Sequence, residues 1–112
     1  MPDPVDLDHL RTLLGGNIEL ENQIFEVFIN SAQDSISSLE SFCKDAKDSE
    51  WNEAAHTLKG SSGNVGANGM YCLCVKAQEA KNSPIEDKQA ILQEIESEYQ
   101  KIKVFLEQYL KK

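Results

Sequence analysis

His56 and Lys59 stand three residues apart in the stretch AAHTLKGSSGNVGANG, Ala54 to Gly69. Histidine is largely neutral near pH 7, and its ring nitrogen is then nucleophilic. Lysine is a compact positive charge. On a helix, residues three apart are surface neighbours, so the ammonium would sit beside the ring. A nucleophilic nitrogen flanked by a cation suits a phosphoryl acceptor, because the lysine offsets the negative charge of the arriving group. A surface proton donor or a structural histidine would need neither the lysine nor the glycines that follow.

Helical geometry sharpens the expectation. With His56 at zero and about 100° per residue, Trp51, Ala54, Leu58, Ser61 and Val65 fall between about 140° and 220°, which reads as the core side. Lys59 falls at about 300°, Gly60 at about 40°, Gly63 at about 340° and Glu53 at about 60°. The histidine is therefore expected to face solvent among small or polar neighbours. Each glycine inside a helix costs roughly 1 kcal/mol relative to alanine. No core packing asks for a small residue at Gly60 or Gly63, which points to close approach by another macromolecule. The alternative ends the helix near Gly60 and puts the glycines in a loop. Leu58, Ser61 and Val65 keep one face, and a clear turn signal comes only at Gly66 to Gly69, so the helix is preferred. Glu53, one turn before the histidine, is placed to hydrogen-bond the ring. Metal binding fits poorly, because no second ligand stands four residues from His56. A phosphate-binding loop of the Walker type fails too, since the lysine precedes the glycines and no strand leads in.

The elements that must hold this stretch are helical throughout. Asp6 is expected to cap a short helix ending at Gly15-Gly16, and Asn17 to cap a long helix carrying Ile24, Phe25, Phe28, Ala32, Leu39, Phe42 and Ala46. Lys47-Asp48-Ser49 reads as the connection, with Asp48 or Ser49 capping the histidine helix. A turn at Gly66 to Gly69 leads into a helix with Met70, Leu73, Cys74, Ala77 and Ala80. Ser83-Pro84-Ile85-Glu86 is a start signal, with serine at the cap, proline at the first helical position and glutamate at the third. The last helix runs on Ile91, Leu92, Ile95, Tyr99, Ile102, Phe105, Leu106 and Tyr109. Short connections between long amphipathic helices make antiparallel neighbours. The expected fold is all-α: an antiparallel up-down four-helix bundle with a short additional N-terminal helix, in one domain over residues 1–112.

Composition narrows the partners. The chain has 112 residues, with 19 acidic against 11 basic and a net charge of −8. No basic stripe offers itself to nucleic acid, because Lys101, Lys103, Lys111 and Lys112 alternate with Glu96, Glu98 and Glu107 as a solvated face. No apolar run approaches the roughly 20 residues that cross a bilayer, and no signal-peptide pattern opens the chain, so a cytoplasmic protein is expected. Cys43, Cys72 and Cys74 are an odd set. The last two point about 200° apart on a helix, so reduced, buried thiols are expected. His9 has no lysine or glycine companions and reads as structural or solvated.

The segment HTLKGSSGNVGA, followed by Cys74 and Gln78, resembles the signature of histidine-containing phosphotransfer (HPt) domains of multistep phosphorelays. The shared pattern is H-x-x-K-G-[SA]-[SA]-x-x-x-G-[AL] with a cysteine on the next helix, over about 25 residues. The rest of the chain matches only as a helical bundle of suitable length. The resemblance implies a four-helix bundle with the acceptor histidine exposed in mid-helix. Position by position, it implies that His56 is phosphorylated, that Lys59 stabilises the phosphoryl group and that Gly60 clears room for the partner. It also implies that Gln78 hydrogen-bonds the histidine from the neighbouring helix. Gly63 departs from the pattern as an extra glycine that would loosen the helix.

Such a domain is a phosphoryl carrier rather than an enzyme. A receiver-domain aspartate, with Mg2+ bound on the receiver, passes the group to His56, and a second receiver aspartate takes it onward. The implied partners are response-regulator receiver domains or a hybrid sensor histidine kinase, with the carrier itself monomeric and without a cofactor of its own. Ile18 and Ile24 would contribute to the docking surface, against the plainer reading that they belong to the core. Two alternatives stand beside this one: a helical docking module that is never phosphorylated, and a detached phosphoacceptor domain of a chemotaxis-type histidine kinase.

Overall fold

A computed structural model describes residues 3–110. Met1 and Pro2, and the pair Lys111 and Lys112 read above as part of a solvated face, lie outside the described residues. Five helices follow in order: α1 (Leu7–Leu14), α2 (Ile18–Lys44), α3 (Asp48–Val65), α4 (Asn68–Glu79) and α5 (Ile85–Leu110).

Each long helix packs on its neighbours in a closed ring, α2 on α3, α3 on α4, α4 on α5 and α5 on α2. The cross-contacts run in opposite senses along each pair. Trp51, at the start of α3, donates through Nε1 to the carbonyl of Ala77 near the end of α4 at 2.8 Å. Tyr99 donates to the carbonyl of Ile29 at 3.1 Å, and Tyr109, further along α5, reaches Glu21, earlier on α2. The result is an antiparallel four-helix bundle with α1 laid across α2 and α3. Its core is a single apolar cluster in which Phe25, Leu39, Trp51, Leu58, Met70, Ile95, Ile102 and Leu106 are fully buried.

The helix ends show where local chemistry ruled. Asp6 caps α1, accepting from the amides of Asp8 and His9, and Asn17 caps α2, accepting from Leu20. The start of α3 departs from expectation. The connection is Asp45-Ala46-Lys47, and Lys47 stands at the cap without a side-chain hydrogen bond. Asp48 is already helical, because its carboxylate is taken by the buried Lys88 of α5. Ala46, expected on the buried stripe of α2, is exposed and left-handed at φ 56°. There it closes α2, as Lys47 N–H reaches back to the Phe42 carbonyl at 2.9 Å.

Two further starts also differ. Gly69 belongs to the first turn of α4 rather than to a turn before it, and a Cβ there would lie 2.8 Å from Oε2 of Glu98. Ser83 makes no capping hydrogen bond among the described residues. Pro84 takes the cap position instead, its carbonyl accepting from Lys88 N–H at 3.3 Å.

Candidate functional site

The candidate site is built on α3, which runs unbroken from Asp48 to Val65. Gly60 and Gly63 are therefore helical, and the loop alternative is excluded. The helix survives two glycines because its other face is locked. Trp51, Ala55, Leu58, Ser62 and Val65 are buried. At the far end Gly66, at φ 80°, terminates α3, with its own N–H on the Gly63 carbonyl and Ala67 N–H on the Ser62 carbonyl at 2.8 Å.

The buried arc is rotated from the expected one. Ala55 and Ser62 lie in the core, whereas Ala54 and Ser61 are half-buried. Ser61 turns its hydroxyl back onto the carbonyls of Thr57 and Leu58. The centre of the stripe moves to about 220°, so His56 stands about 140° from it rather than opposite. That still leaves the imidazole outside. His56 is exposed, while Trp51 and Leu58 beneath it are fully buried.

Lys59 is half-buried. Its charge is felt at Cys74 of α4, whose thiol burial pushes up to about 12, with the nearby ammonium pulling slightly the other way. At Gly60 an added Cβ would meet nothing within 4 Å. Among the described residues no side chain fills that space, so the glycine leaves bare backbone open next to the imidazole.

Gln78 is half-buried on α4. Gly63 lies against Tyr71. Seven residues back along α3 and seven forward along the antiparallel α4 lead from that contact to His56 and Gln78, which therefore stand level. Gln78 is thus in the right tier, yet it makes no hydrogen bond to the ring among the described residues. Glu53 makes none either. It is exposed and lines a recess between α2 and α3 with Ser31, Asp34 and Phe42. Of the six expected site residues, His56, Lys59 and Gly60 share one turn of α3, with Glu53 a turn before and Gly63 two turns beyond the histidine, while Gln78 stands on the adjacent α4.

The remaining residues singled out by sequence divide as follows. His9 is exposed on α1. Ile18 is 69% exposed, whereas Ile24 is half-buried against the core and lines a recess of about 350 Å3 with Val27, Ser31 and Asn64. Cys43 and Cys74 are buried as expected, but Cys72 is exposed. All three thiols are free. Among the described residues no group of three metal-ligating side chains converges. No described helix is long and apolar enough to cross a membrane.

Comparison with known proteins decides the family. The model of the Hpt domain matches residues 23–105, most of the chain and all of α3 and α4. The chain belongs to the Hpt family. Among solved structures, this Hpt domain is similar to histidine-containing phosphotransfer protein B (HptB) from Pseudomonas aeruginosa PAO1. The TM-score is 0.89 at 18% identity, covering 99% of this chain and 97% of that one. At that identity the likeness speaks to the fold. No curated protein sequence matches closely enough to count as a relative. Family membership carries a histidine phosphotransfer role in phosphorelays, and the site geometry bears on which residues perform it.

Proposed function

We propose that His56 of this Hpt domain is the phosphoacceptor, taking a phosphoryl group from the aspartate of one receiver domain and yielding it to the aspartate of another. The observation that carries this reading is the exposed mid-helix imidazole with Lys59 on one side and the unfilled space over Gly60 on the other. His9, the other histidine, has no such surroundings.

In the forward step the lone pair of a neutral ring nitrogen attacks phosphorus. The P–O bond to the donor aspartate breaks, releasing that carboxylate, and a P–N bond forms. In-line transfer of this kind needs positioning and charge neutralisation more than covalent chemistry from the carrier. Lys59 supplies the neutralising charge from within the chain. Gly60 lets the donor aspartate approach without displacing a side chain. Mg2+ belongs to the receiver, and the carrier contributes no metal of its own. Gln78, level with the ring, would hydrogen-bond it once a partner excludes water. Receivers, free or joined to a hybrid sensor kinase, would dock over α3 and the start of α2, where Ile18 and the recess beside Ile24 offer apolar surface. The domain would act as a monomer in the cytoplasm.

Transfer of labelled phosphate from a phosphorylated receiver domain tests the reading. The label should be acid-labile and alkali-stable, and His56→Gln should abolish it while leaving the helical circular dichroism unchanged. Undiminished label in that variant would reject the assignment. A chain that no receiver labels would instead fit the docking-module alternative.

A further inference from the structure

An exposed aromatic ring lies on the imidazole's own side of α3. Tyr71 stands in the first turn of α4 and turns its ring toward α3, where a Cβ at Gly63 would meet Cδ2 and Cε2 at 3.4 and 3.6 Å. Those are ordinary contact distances, so the ring rests against α3 without being forced there. Gly63 lies only about 20° from His56 around the helix and about 10 Å along its axis. Tyr71 is 41% exposed, and its hydroxyl makes no hydrogen bond among the described residues. Neither core packing nor a cap accounts for it.

We propose that Tyr71 is a partner-contact residue for the receiver domain that reaches His56, forming the α4-side edge of the docking surface. This rests on the reading of His56 as the acceptor. Magnitudes favour it. A standard interface buries about 800 Å2 on each partner, a disc of roughly 16 Å radius, so a receiver centred on the imidazole covers a point 10 Å away. The recess beside Ile24 and Val27 lies on the α2 side of α3, and Tyr71 lies on the α4 side. A partner resting on both straddles the histidine helix, which fixes its tilt as well as its distance. Aromatic residues dominate binding when packed at such surfaces. A ring already seated on the bare backbone of Gly63 loses little freedom on docking, and its free hydroxyl can take a hydrogen bond from the partner.

The test compares Tyr71→Ala and Tyr71→Phe in the full chain. The donor is the acetyl-phosphate-charged receiver domain, from the source organism, that labels the parent chain fastest. Phosphoramidate, which phosphorylates an imidazole with loss of ammonia and needs no docking, serves as the second donor. Tyr71→Ala should raise the half-saturating concentration with the receiver about tenfold, with the rate at saturation within twofold. Phosphoramidate labelling and thermal midpoint should not change, and Tyr71→Phe should shift half-saturation less than threefold. Unaltered half-saturation in Tyr71→Ala would overturn the proposal while leaving His56 as the acceptor. An equal loss with both donors would overturn it too, by assigning Tyr71 to the integrity of the site. So would conversion of a dimer to a monomer in sedimentation, which would give the ring to a second copy. A parent chain labelled by phosphoramidate but by no receiver would remove the underlying reading as well.

Discussion

At the scale of the residue, the proposed site divides into groups that would act on the phosphoryl group and groups that would merely leave space. Lys59 belongs to the first. Lys59→Ala should slow transfer from a charged receiver by roughly ten- to a hundredfold, as loss of one charge-stabilising group does. The melting curve should barely move, because the side chain is only half-buried; an unchanged transfer rate would remove its role. Gly60 belongs to the second. Since nothing surrounds its Cβ position, Gly60→Ala should raise unfolding stability in urea by about 1 kcal/mol while slowing receiver-dependent transfer. A variant equally fast and more stable would show that the glycine serves no partner. The exposure of His56 and the open space over Gly60 were legible from helical periodicity and spacing. The exact azimuth of the buried stripe was not. Ala54 and Ala55, like Ser61 and Ser62, differ too little in hydropathy to choose which of each pair turns inward, and the packing of α3 against α4 made the choice.

At the scale of the element, α3 depends on how its ends are fixed. Gly66 is held at φ 80°, and a Cβ there would come within 2.7 Å of the Asp6 carbonyl oxygen. Asp6 N–H donates to the Gly66 carbonyl at 2.8 Å, so the segment before α1 is pinned to this turn. Gly66→Ala should therefore destabilise the fold by about 2–3 kcal/mol in urea titration, combining left-handed strain with displacement of Asp6. A loss below about 0.5 kcal/mol would contradict that packing. The Gly66 signal and the Asp6 and Asn17 caps were readable locally. The start of α3 was not, because Asp48 is engaged by Lys88, forty residues away in sequence. Local capping preference cannot anticipate a tertiary claim on the same carboxylate.

At the scale of the whole molecule, periodicity revealed the bundle, but the polar groups inside it depend on packing between distant helices. Lys88 is buried over the Trp51 ring, its ammonium 5.6 Å from the centroid. Glu21 is buried where Tyr109 donates to it at 2.7 Å. Neither burial follows from local sequence, because each depends on where α5 lies against the other helices. A less buried pairing between α2 and α5 sets a pH dependence. On the back of the bundle, a hydrogen bond with Glu40, then burial, holds the Glu96 carboxyl above the usual carboxylate range. The folded state thus binds this proton more tightly than the unfolded chain does. The resulting stabilisation is full below the ordinary carboxylate value and is lost as pH rises through the raised one. Glu96→Gln should accordingly gain stability relative to the parent on moving from pH 4 to pH 7 in chemical denaturation. An identical difference at both pH values would deny the shared proton.

The central claim is that one imidazole, standing clear of this bundle, carries the phosphoryl group. Mass spectrometric localisation at alkaline pH, on the intact chain quenched after transfer from a charged receiver, tests it most directly. The predicted result is a single added phosphoryl group on His56. Modification of His9, or of any other residue with His56 unmodified, would contradict it.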